Sequence, residues 1–239
     1  LIDDPVVVTN MRGIYNDHIA QHIMLYVLAL ARGLPFYMEA QRQRRWDKDA
    51  QTSRYIDLTQ ATALIHGVGG IGQETARLCL AFGMRVLGVD ARWEWEAPGV
   101  ERHGPEALAS LLPEADFVIL TIPHTPETEG MWNAALFGAM RETAYFINIG
   151  RGMTTRLDDL AAAIESGGIA GAALDVYEIE PLPSEHPLWT LPNVILTPHI
   201  AVQDAENVEE RRFEVLLDNL KRFAAEEPLR NVVDKALWH

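Results

Sequence analysis

Cysteine is almost absent from the sequence, since Cys79 is the single one among 239 residues. An internal disulfide is therefore excluded, and a reducing compartment such as the cytoplasm is expected. Basic residues are also few, with 20 Lys and Arg against 34 Asp and Glu, and the formal net charge is −14. This charge argues against duplex nucleic acid or an anionic membrane surface as the main partner.

Long apolar runs are missing as well. The longest one, residues 23–31, is too short to span a bilayer and is interpreted as part of a buried helix. No signal peptide is recognisable, the first residue is Leu rather than Met, and the chain opens on a strand-like stretch at 5–9. We therefore expect no membrane association, and a fragment of a longer protein is one interpretation of this start.

The first part of the chain predicts one helix and a polar arm. Asn16 or Asp17 is a suitable N-cap for a helix that runs to about Ala31, where Gly33 follows as a stop signal. The polar, Arg-rich stretch 41–54, which carries Trp46, comes next and is predicted to form an arm.

From Ala61 onwards, short apolar runs alternate with helical stretches. Runs of this length are typical of buried strands, and strands that alternate with helices indicate a parallel sheet covered on both faces. The sequence therefore predicts a doubly wound α/β domain. A charged, amphipathic helix at about 204–225 lies beyond the alternation and is assigned to another domain. The predicted strands are 61–66, 84–90, 115–122, 144–149, 169–176 and 193–197, and the helices between the first five are 71–82, 105–112, 132–140 and 156–166.

A glycine-rich loop follows the first of these strands. Gly67, Gly69 and Gly72 have G-x-G-x-x-G spacing. The first glycine permits the tight turn, the second lets a pyrophosphate approach the backbone, and the third lets the helix pack on the strand. Gly70 and Ile71 open the helix, whose N-terminus favours phosphate binding. This combination predicts a Rossmann-type site for a nicotinamide dinucleotide.

The next predicted strand ends in Asp90, eighteen residues after Gly72. A carboxylate at this position accepts hydrogen bonds from the adenosine ribose and repels a 2′-phosphate, which favours NAD. Arg92 stands two residues further on and is able to accommodate that phosphate. NADP therefore remains an alternative cofactor.

Three later segments place polar residues at strand ends, where open α/β sheets bind their ligands. They read NIGRG at 148–152, ALDVYEIEPLP at 173–183 and TPHIA at 197–201. In this order, after the glycine loop, they resemble the D-isomer-specific 2-hydroxyacid dehydrogenase family. VTNMRGIYNDHIAQH, HTPETEG and HPLW are further matches, and the resemblance runs from about Val8 to the C-terminus. It implies hydride transfer between NAD or NADP and a small 2-oxo or 2-hydroxy acid, of the glyoxylate, hydroxypyruvate, lactate or phosphoglycerate type.

The resemblance also implies roles for individual residues. Arg151 corresponds to the arginine that grips the substrate carboxylate, for which its planar fork is suited. His199 corresponds to the general acid and base, and Glu180 to the carboxylate that orients its ring. Asp175 corresponds to a residue near the nicotinamide and its carboxamide. Considered singly, without the resemblance, Arg151 is more typical of a surface ion pair, His199 of a structural hydrogen bond and Glu180 of a solvated loop.

Other residues are assigned less directly. His18 and His22 have the spacing of metal ligands, but no third ligand is visible, so no metal is expected. His66 departs from the aliphatic residue usual in the family and is given no role, whereas His124 is left open as a residue beside the adenine. The remaining residues expected along the cofactor groove are Ile122, Pro123, Thr128 and Ile149.

The resemblance implies a division of the chain into three parts. Residues 1–15 are expected to be a crossover from a substrate domain whose first segment is absent, and 16–198 to form the dinucleotide-binding domain. Residues 199–239 are expected to be a remnant of the substrate domain. We expect poor turnover, because in the family the closure of the substrate domain excludes water from hydride transfer.

An arm at about 35–55 is expected to join a homodimer. The alternative to an enzyme is an NAD(H)-sensing binding protein, similar to the corepressor branch of the superfamily.

Overall fold

A seven-stranded sheet in which every strand pair is parallel forms the centre of the protein. The computed structural model describes residues 4–48, 55–93, 96–203 and 205–235. The strand order is β3-β2-β1-β4-β5-β6-β7, so the chain reverses direction across the sheet between β1 and β4. The doubly wound α/β prediction is confirmed. The strands are β1 (Thr62–His66), β2 (Arg85–Val89), β3 (Val100–His103), β4 (Phe117–Leu120), β5 (Tyr145–Asn148), β6 (Gly171–Leu174) and β7 (Val194–Leu196).

Helices cover both faces of the sheet and give the protein two apolar layers. Along β1, Ala63 and Ile65 belong to one layer while Leu64 between them belongs to the other, as the alternation of side chains in a strand requires. Both layers bury side chains completely, which explains why these strands read as continuous apolar runs. The helices are α1 (Asn16–Ala31), α2 (Leu34–Arg42), α3 (Gly70–Ala81), α4 (Leu108–Leu111), α5 (Ala134–Gly138), α6 (Leu157–Glu165) and α7 (Val208–Ala224).

Strand β3 was not predicted. It lies at the edge of the sheet and, among the described residues, pairs with β2 alone, through the register Val86–Val100 to Val89–His103. Its four residues are partly or fully exposed. An edge strand with this exposure needs no apolar run, and the polar sequence VERH therefore gave no strand signal.

The region after α1 differs from the prediction. Gly33 adopts a left-handed conformation, with φ +62°, and interrupts the helix as expected. The chain then forms α2, with Pro35 in its first turn, where a proline is tolerated because the first N–H groups of a helix have no partner. The first two residues of the predicted arm, Gln41 and Arg42, thus belong to α2, and residues 49–54 of it lie outside the described residues.

The predicted cap of α1 is wrong. Tyr15 occupies the N-cap position, and no side chain there accepts a hydrogen bond from the helix. Asn16 is the first helical residue. The Asp17 carboxylate binds instead to the Arg211 guanidinium through two hydrogen bonds of 2.8 and 2.9 Å. Asp17, which the local sequence assigned to the helix start, thus pairs with Arg211, a residue far away in the sequence.

Helix α7 begins at Val208, four residues later than predicted, and residue 204 lies outside the described residues. Its Val208 and Val215 pack with Ile14 in a small third cluster. The rest of its apolar stripe is exposed, so this helix lacks a covering layer among the residues that the structure describes. The exposed members are Phe213, Leu216, Leu217, Leu220 and Phe223.

The two ends of the described chain lie side by side. Thr9 and Val232 form an antiparallel bridge, flanked by backbone hydrogen bonds from Asn10 N–H to Asn231 and from Val233 N–H to Val8. Among the described residues, no single helix is long and apolar enough to cross a bilayer. Helices α1 and α2 meet that requirement only as a pair, and they are bent by 70° with respect to each other.

Candidate active site

The candidate residues gather at the carboxyl edge of the sheet. In a parallel sheet all strands end at the same edge, and ligands bind where the strand order reverses, here between β1 and β4. The segments at this edge are the glycine loop after β1, Asp90 after β2, 121–130 after β4, 149–152 after β5, 175–183 after β6 and 197–201 after β7.

The three glycines of the motif meet different steric conditions. Gly67 has φ +97°, and a Cβ on it would lie 2.8 Å from the backbone nitrogen of Ile122. A Cβ on Gly72 would lie 2.0 Å from the carbonyl oxygen of Gly67. A Cβ on Gly69 would meet no atom within 4 Å, so its surface is open. The first and third glycines are required by packing, and the second leaves room for a pyrophosphate, as the motif predicts.

Helix α3 directs its N-terminus at this opening. Gly69 precedes the helix and has no side chain to cap it, so the first N–H groups, from Gly70 and Ile71 onwards, have no intrahelical acceptor. Together with the positive end of the helix dipole they suit a phosphate. Gly70 has its own constraint, because a Cβ there would lie 2.4 Å from the Asn16 side-chain nitrogen. This cradle fits the pyrophosphate of a dinucleotide.

Asp90 connects strand β2 to the glycine loop. Its carboxylate accepts a 2.5 Å hydrogen bond from the N–H of Val68 and a 2.8 Å hydrogen bond from the N–H of Arg92. A carboxylate oxygen is able to accept more than one hydrogen bond, so lone pairs of Asp90 remain for ribose hydroxyls. The Arg92 side chain is exposed beside it. The structure thus holds both groups that were predicted to read the adenosine ribose.

The loop after β4 holds three of the residues expected along the cofactor groove. Ile122 is buried against Gly67, and Ile149 is buried after the neighbouring strand. Thr128 has its hydroxyl occupied within the loop, where it donates to the carbonyl oxygen of the exposed Pro123 at 2.8 Å and accepts from the N–H of Thr125 at 2.8 Å. The geometry therefore gives Thr128 a part in shaping the loop.

A buried asparagine holds the turn that carries Arg151. Asn148 accepts the N–H of Gly150 at 3.0 Å and donates to the Thr155 hydroxyl at 2.9 Å. A Cβ on Gly152 would lie 1.8 Å from the carbonyl oxygen of Tyr177, so this glycine lets the turn pack against the loop after β6. One guanidinium nitrogen of the exposed Arg151 donates to the Gly150 carbonyl at 2.7 Å. Its other nitrogens remain available to an anion.

Glu180 and His199 form a direct pair. His199 Nδ1 lies 2.8 Å from Glu180 Oε2, and the N–H of Tyr177 donates to Glu180 Oε1 at 3.0 Å. Both carboxylate oxygens are thus engaged, and the ring is oriented so that Nε2 is its remaining nitrogen. About half of the His199 side chain is exposed. An imidazole held in this way presents Nε2 to a reacting group.

The electrostatics of the pair favour an ionised carboxylate. Partial burial raises the pKa of Glu180, but the hydrogen bonds from His199 and from the Tyr177 N–H outweigh it, and the pKa is lowered overall. The charges of His199 and Arg151 act in the same direction. Arg151, Glu180 and His199 thus lie at one edge of the sheet, where the charge of Arg151 acts on Glu180.

Asp175 is buried beneath the turn that presents His199. Its Oδ1 accepts the N–H of Ile200 at 2.9 Å, and its Oδ2 accepts the N–H of Ala201 at 3.0 Å. The residue is 1% exposed. His199 itself has φ +57°, a left-handed conformation that non-glycine residues rarely adopt. The contacts of Asp175 thus shape the backbone on one side of His199.

Three of the other histidines, His22, His66 and His124, have structural partners. His66 Nδ1 accepts a 3.3 Å hydrogen bond from the buried Trp132 indole, and burial lowers the pKa of His66 to about 4. His124 lies 3.2 Å from Glu129. His22 contacts Tyr26 on α1 rather than His18. Within the described ranges, no three His, Cys, Asp or Glu side chains are grouped as a metal would require.

Sequence reasoning missed two polar residues that shape this edge. Asn148 is completely buried in the Arg151 turn. Thr121 donates its hydroxyl to the carbonyl oxygen of Gly67 and so fixes the first glycine. Both stand at the end of an apolar run, and a polar residue at that position was the one available signal.

Comparisons with known proteins give the family. Residues 24–201 match a family model described as D-isomer specific 2-hydroxyacid dehydrogenase, NAD binding domain. Glyoxylate/hydroxypyruvate reductase A of Serratia proteamaculans is 34% identical over 223 residues, which are 92% of this chain and 68% of the relative. Glyoxylate reductase of Thermofilum pendens is 34% identical over 90% of this chain and 64% of the relative. The chain thus spans about two thirds of the length of these two relatives.

Two solved structures extend the match to the fold. The NADPH-dependent glyoxylate/hydroxypyruvate reductase of Sinorhizobium meliloti, in complex with NADP and sulfate, has a TM-score of 0.88 at 30% identity over 99% of this chain and 74% of that one. The D-isomer specific 2-hydroxyacid dehydrogenase of Lactobacillus delbrueckii, in its NAD complexed form, has a TM-score of 0.83 at 26% identity over 95% and 72%. The chain belongs to the D-isomer-specific 2-hydroxyacid dehydrogenase family and contains its NAD-binding domain.

Proposed function

We propose that this chain carries the reacting residues for the interconversion of a small 2-oxo acid and its D-2-hydroxy acid. The observation that carries the proposal is the Glu180–His199 pair of 2.8 Å, at the same sheet edge as Arg151 and the glycine loop. The names of the relatives favour glyoxylate or hydroxypyruvate as substrate.

His199 is the general acid of the reduction. When bound, the nicotinamide cofactor supplies a hydride, and with it two electrons, to the carbonyl carbon of the 2-oxo acid. The imidazolium of His199 gives its Nε2 proton to the carbonyl oxygen, and Glu180 holds the opposite Nδ1–H throughout. In the oxidation the same nitrogen takes the proton back. The lowered pKa of Glu180 keeps the carboxylate ionised, which stabilises the imidazolium before transfer.

Arg151 is the proposed anchor of the substrate carboxylate. Its guanidinium is planar and carries five N–H donors, a pattern that matches the two oxygens of a carboxylate. Since one nitrogen is fixed by the Gly150 carbonyl, the direction of the fork is partly set before the substrate binds. This arrangement also polarises the carbonyl next to the carboxylate.

Both NAD and NADP are proposed as cofactors. Asp90 retains lone pairs for ribose hydroxyls and favours NAD, while the exposed Arg92 offers a charge to a 2′-phosphate. The two structural neighbours described above hold NADP in one case and NAD in the other. Titration of the chain with NADH and NADPH, followed by tryptophan fluorescence, compares the two affinities directly.

The test of the proposed function is a ternary complex. Oxamate resembles a 2-oxo acid but accepts no hydride, so its binding reports the site without turnover. We expect oxamate to change the fluorescence of bound NADH, and Arg151→Ala to weaken oxamate at least roughly tenfold, since an ion pair of this type contributes about 1.5–3 kcal/mol. Arg141→Ala is the matched control, because Arg141 pairs with Asp116 at the opposite edge of the sheet. Equal weakening by both variants, or no oxamate binding to the NADH complex, would reject the proposal.

A homodimer is proposed for the surface of α1 and α2. Leu25 and Leu28 of α1 and Leu34 and Met38 of α2 are all exposed, although each is large and apolar. An exposed apolar surface of this kind is typical of an interaction site. Sedimentation equilibrium is expected to give twice the chain mass, and Leu25→Asp to give the monomer.

The one cysteine is buried and unpaired, which supports the reducing cytoplasm as the proposed location.

The division into domains is likewise a proposal. Residues 4–15 and α7 contact each other through Ile14, Val208 and the hydrogen bond from Arg211 to the carbonyl of Ile14. We assign residues 1–15 to a crossover from a second, smaller domain, residues 199–239 to that domain, and residues 16–198 to the dinucleotide-binding domain.

A further inference from the structure

A partly buried chain of hydrogen bonds runs from helix α1 to the turn that carries His199. His22 Nε2 lies 2.9 Å from the hydroxyl of Tyr26, and that hydroxyl contacts the hydroxyl of Thr197. Thr197 in turn contacts Asp175 Oδ1 at 2.5 Å. Tyr26 is completely buried and Asp175 almost so. The chain therefore connects the middle of α1 with the acid beneath the His199 turn.

The direction of these hydrogen bonds is fixed at the Asp175 end. A carboxylate only accepts hydrogen bonds, and Asp175 already accepts two backbone N–H groups, so the Thr197 hydroxyl donates to it. Thr197 must then accept from Tyr26. Burial raises the pKa of Tyr26 and so keeps its proton in place, and burial lowers the pKa of His22, which keeps that ring neutral. With one proton on Nε2, His22 donates to Tyr26.

The turn that this chain reaches has a conformation that needs support. His199 has φ +57°, which costs roughly 1 kcal/mol or more for a residue with a Cβ. The residues on both sides of it are held: Thr197 through its hydroxyl, and Ile200 through its N–H to Asp175. The Tyr177 hydroxyl also donates to the Thr197 carbonyl at 2.8 Å. Tyr26 supports the turn from helix α1, whereas Asp175 and Tyr177 belong to the segment that follows strand β6.

We propose that Tyr26 is a positioning residue for His199, acting through Thr197 and Asp175. The inference rests on the proposed function of His199 as general acid. Tyr26 does not contact the substrate or cofactor region directly, because it is buried under Thr197. Its role is to keep the 197–201 turn in the arrangement that places His199 against Glu180.

The experiment removes single hydroxyl groups and follows the turn itself. Tyr26→Phe and Thr197→Val each delete one hydroxyl with almost no change of volume. Because His22 Nε2 also lies 3.3 Å from Thr197 Oγ1, the double variant His22→Leu/Tyr26→Phe removes that substitute donor. Tyr145→Phe is the matched control, since Tyr145 is a buried tyrosine of the same apolar layer that stacks on Phe117. Thr197→Ser is the conservative rescue, as it keeps the hydroxyl.

Two quantities are measured in each variant. Amide hydrogen exchange at Ile200 and Ala201 reports local opening of the turn and requires no catalysis. We expect it to be faster by roughly tenfold in the double variant and in Thr197→Val, since one buried hydrogen bond is lost from a local unit. Oxamate affinity of the NADH complex is expected to fall several-fold in the same variants, while NADH affinity stays within about twofold. Tyr145→Phe and Thr197→Ser are expected to match the unaltered protein in both measurements.

The outcomes separate this inference from the proposed function. If exchange at Ile200 and Ala201 is no faster in the double variant than in Tyr145→Phe, the positioning role is wrong. The same holds if exchange rises equally throughout the sheet, because the effect is then a general loss of stability. If the unaltered NADH complex binds no oxamate, the proposed function fails, and the exchange comparison still decides whether Tyr26 supports the turn.

Discussion

The central sheet and helix α7 are both built from amphipathic or apolar sequence, yet they end in opposite situations. Within the sheet and the layer packed on it, Phe146 of β5 and Phe137 of α5 are covered from all sides. On α7, Phe213 is 63% exposed and Phe223 is 73% exposed. The periodicity of a helix specifies which residues share a face, but it contains no information on what covers that face. The sheet has its covering layers within the described chain, and α7 does not.

The largest difference between the two regions is expected in stability. Phe137→Ala removes a ring that is 1% exposed and packs on Trp132 and Phe146, and we expect it to lower the free energy of unfolding by about 3–5 kcal/mol. Phe223→Ala, on the exposed face of α7, is expected to change it by less than about 0.5 kcal/mol. Urea denaturation followed by circular dichroism compares them. Equal losses would mean that α7 is covered in solution.

Acid is expected to lower the stability of the folded protein through His66, a residue of strand β1. Burial lowers the pKa of His66 to about 4, below the value of 6.5 usual for an unfolded chain. Between these values the unfolded chain takes up a proton that the folded one does not, so stability falls as the pH falls from about 6.5 to 4. The expected loss is about 3 kcal/mol.

His66→Asn is the control for this acid effect, because it keeps an acceptor for the Trp132 indole but does not titrate in this range. Urea denaturation at several pH values between 7 and 4 measures the difference between the two proteins. A parallel decline in both would show that His66 is not the group responsible.

Cofactor affinity is expected to depend on Gly72 of helix α3 but not on Gly138 of helix α5. Gly72→Ala places a Cβ 2.0 Å from the Gly67 carbonyl oxygen, so the phosphate loop must move, and NADH affinity is expected to fall by roughly a hundredfold. Gly138→Ala makes the same change in α5, where a Cβ meets no atom within 4 Å, and is expected to leave affinity unchanged. Fluorescence titration with NADH measures both. Tight binding by Gly72→Ala would contradict the assignment of the loop.

Loss of the Asp17–Arg211 ion pair, which attaches α7 to α1, is expected to have the smallest effect on stability. Arg211 lowers the pKa of Asp17 from 3.8 to about 2. The pair therefore stabilises the folded state above pH 4, and its contribution is lost as the pH falls through about 2. Because the pair is more than a third exposed, its contribution is at most about 1 kcal/mol. Asp17→Asn is expected to show this loss at pH 7 and to equal the unaltered protein near pH 2, in urea titrations at both pH values.

The comparison also explains which features the sequence made predictable. The glycine loop and Asp90 were predicted because their spacing directly encodes a turn, a close approach and a strand end. The triad was found by resemblance, since nothing local connects Arg151 with His199. Strand β3 was missed because an exposed edge strand needs no apolar residues.

Residues whose role depends on tertiary contacts were beyond local patterns. Asn148, Thr121 and Tyr26 each donate a hydrogen bond to a segment that follows another strand or to a turn, and that partner is known only once the strands are in order. Asp17 gave a plausible but wrong helix cap for the same reason, because Arg211 reaches it from the far end of the chain. Sequence pattern therefore located the site, and packing determined how its turns are held.

The most direct test of the central claim is transfer of deuterium from NADH to a 2-oxo acid. The chain is incubated with NADH deuterated at C4 and with glyoxylate or hydroxypyruvate, and the product is analysed by mass spectrometry, which detects even slow turnover. The account predicts deuterium at C2 of the 2-hydroxy acid, and a loss of about a hundredfold or more in His199→Ala. Labelled product formed equally by His199→Ala, or no label while NADH and oxamate both bind, would contradict it.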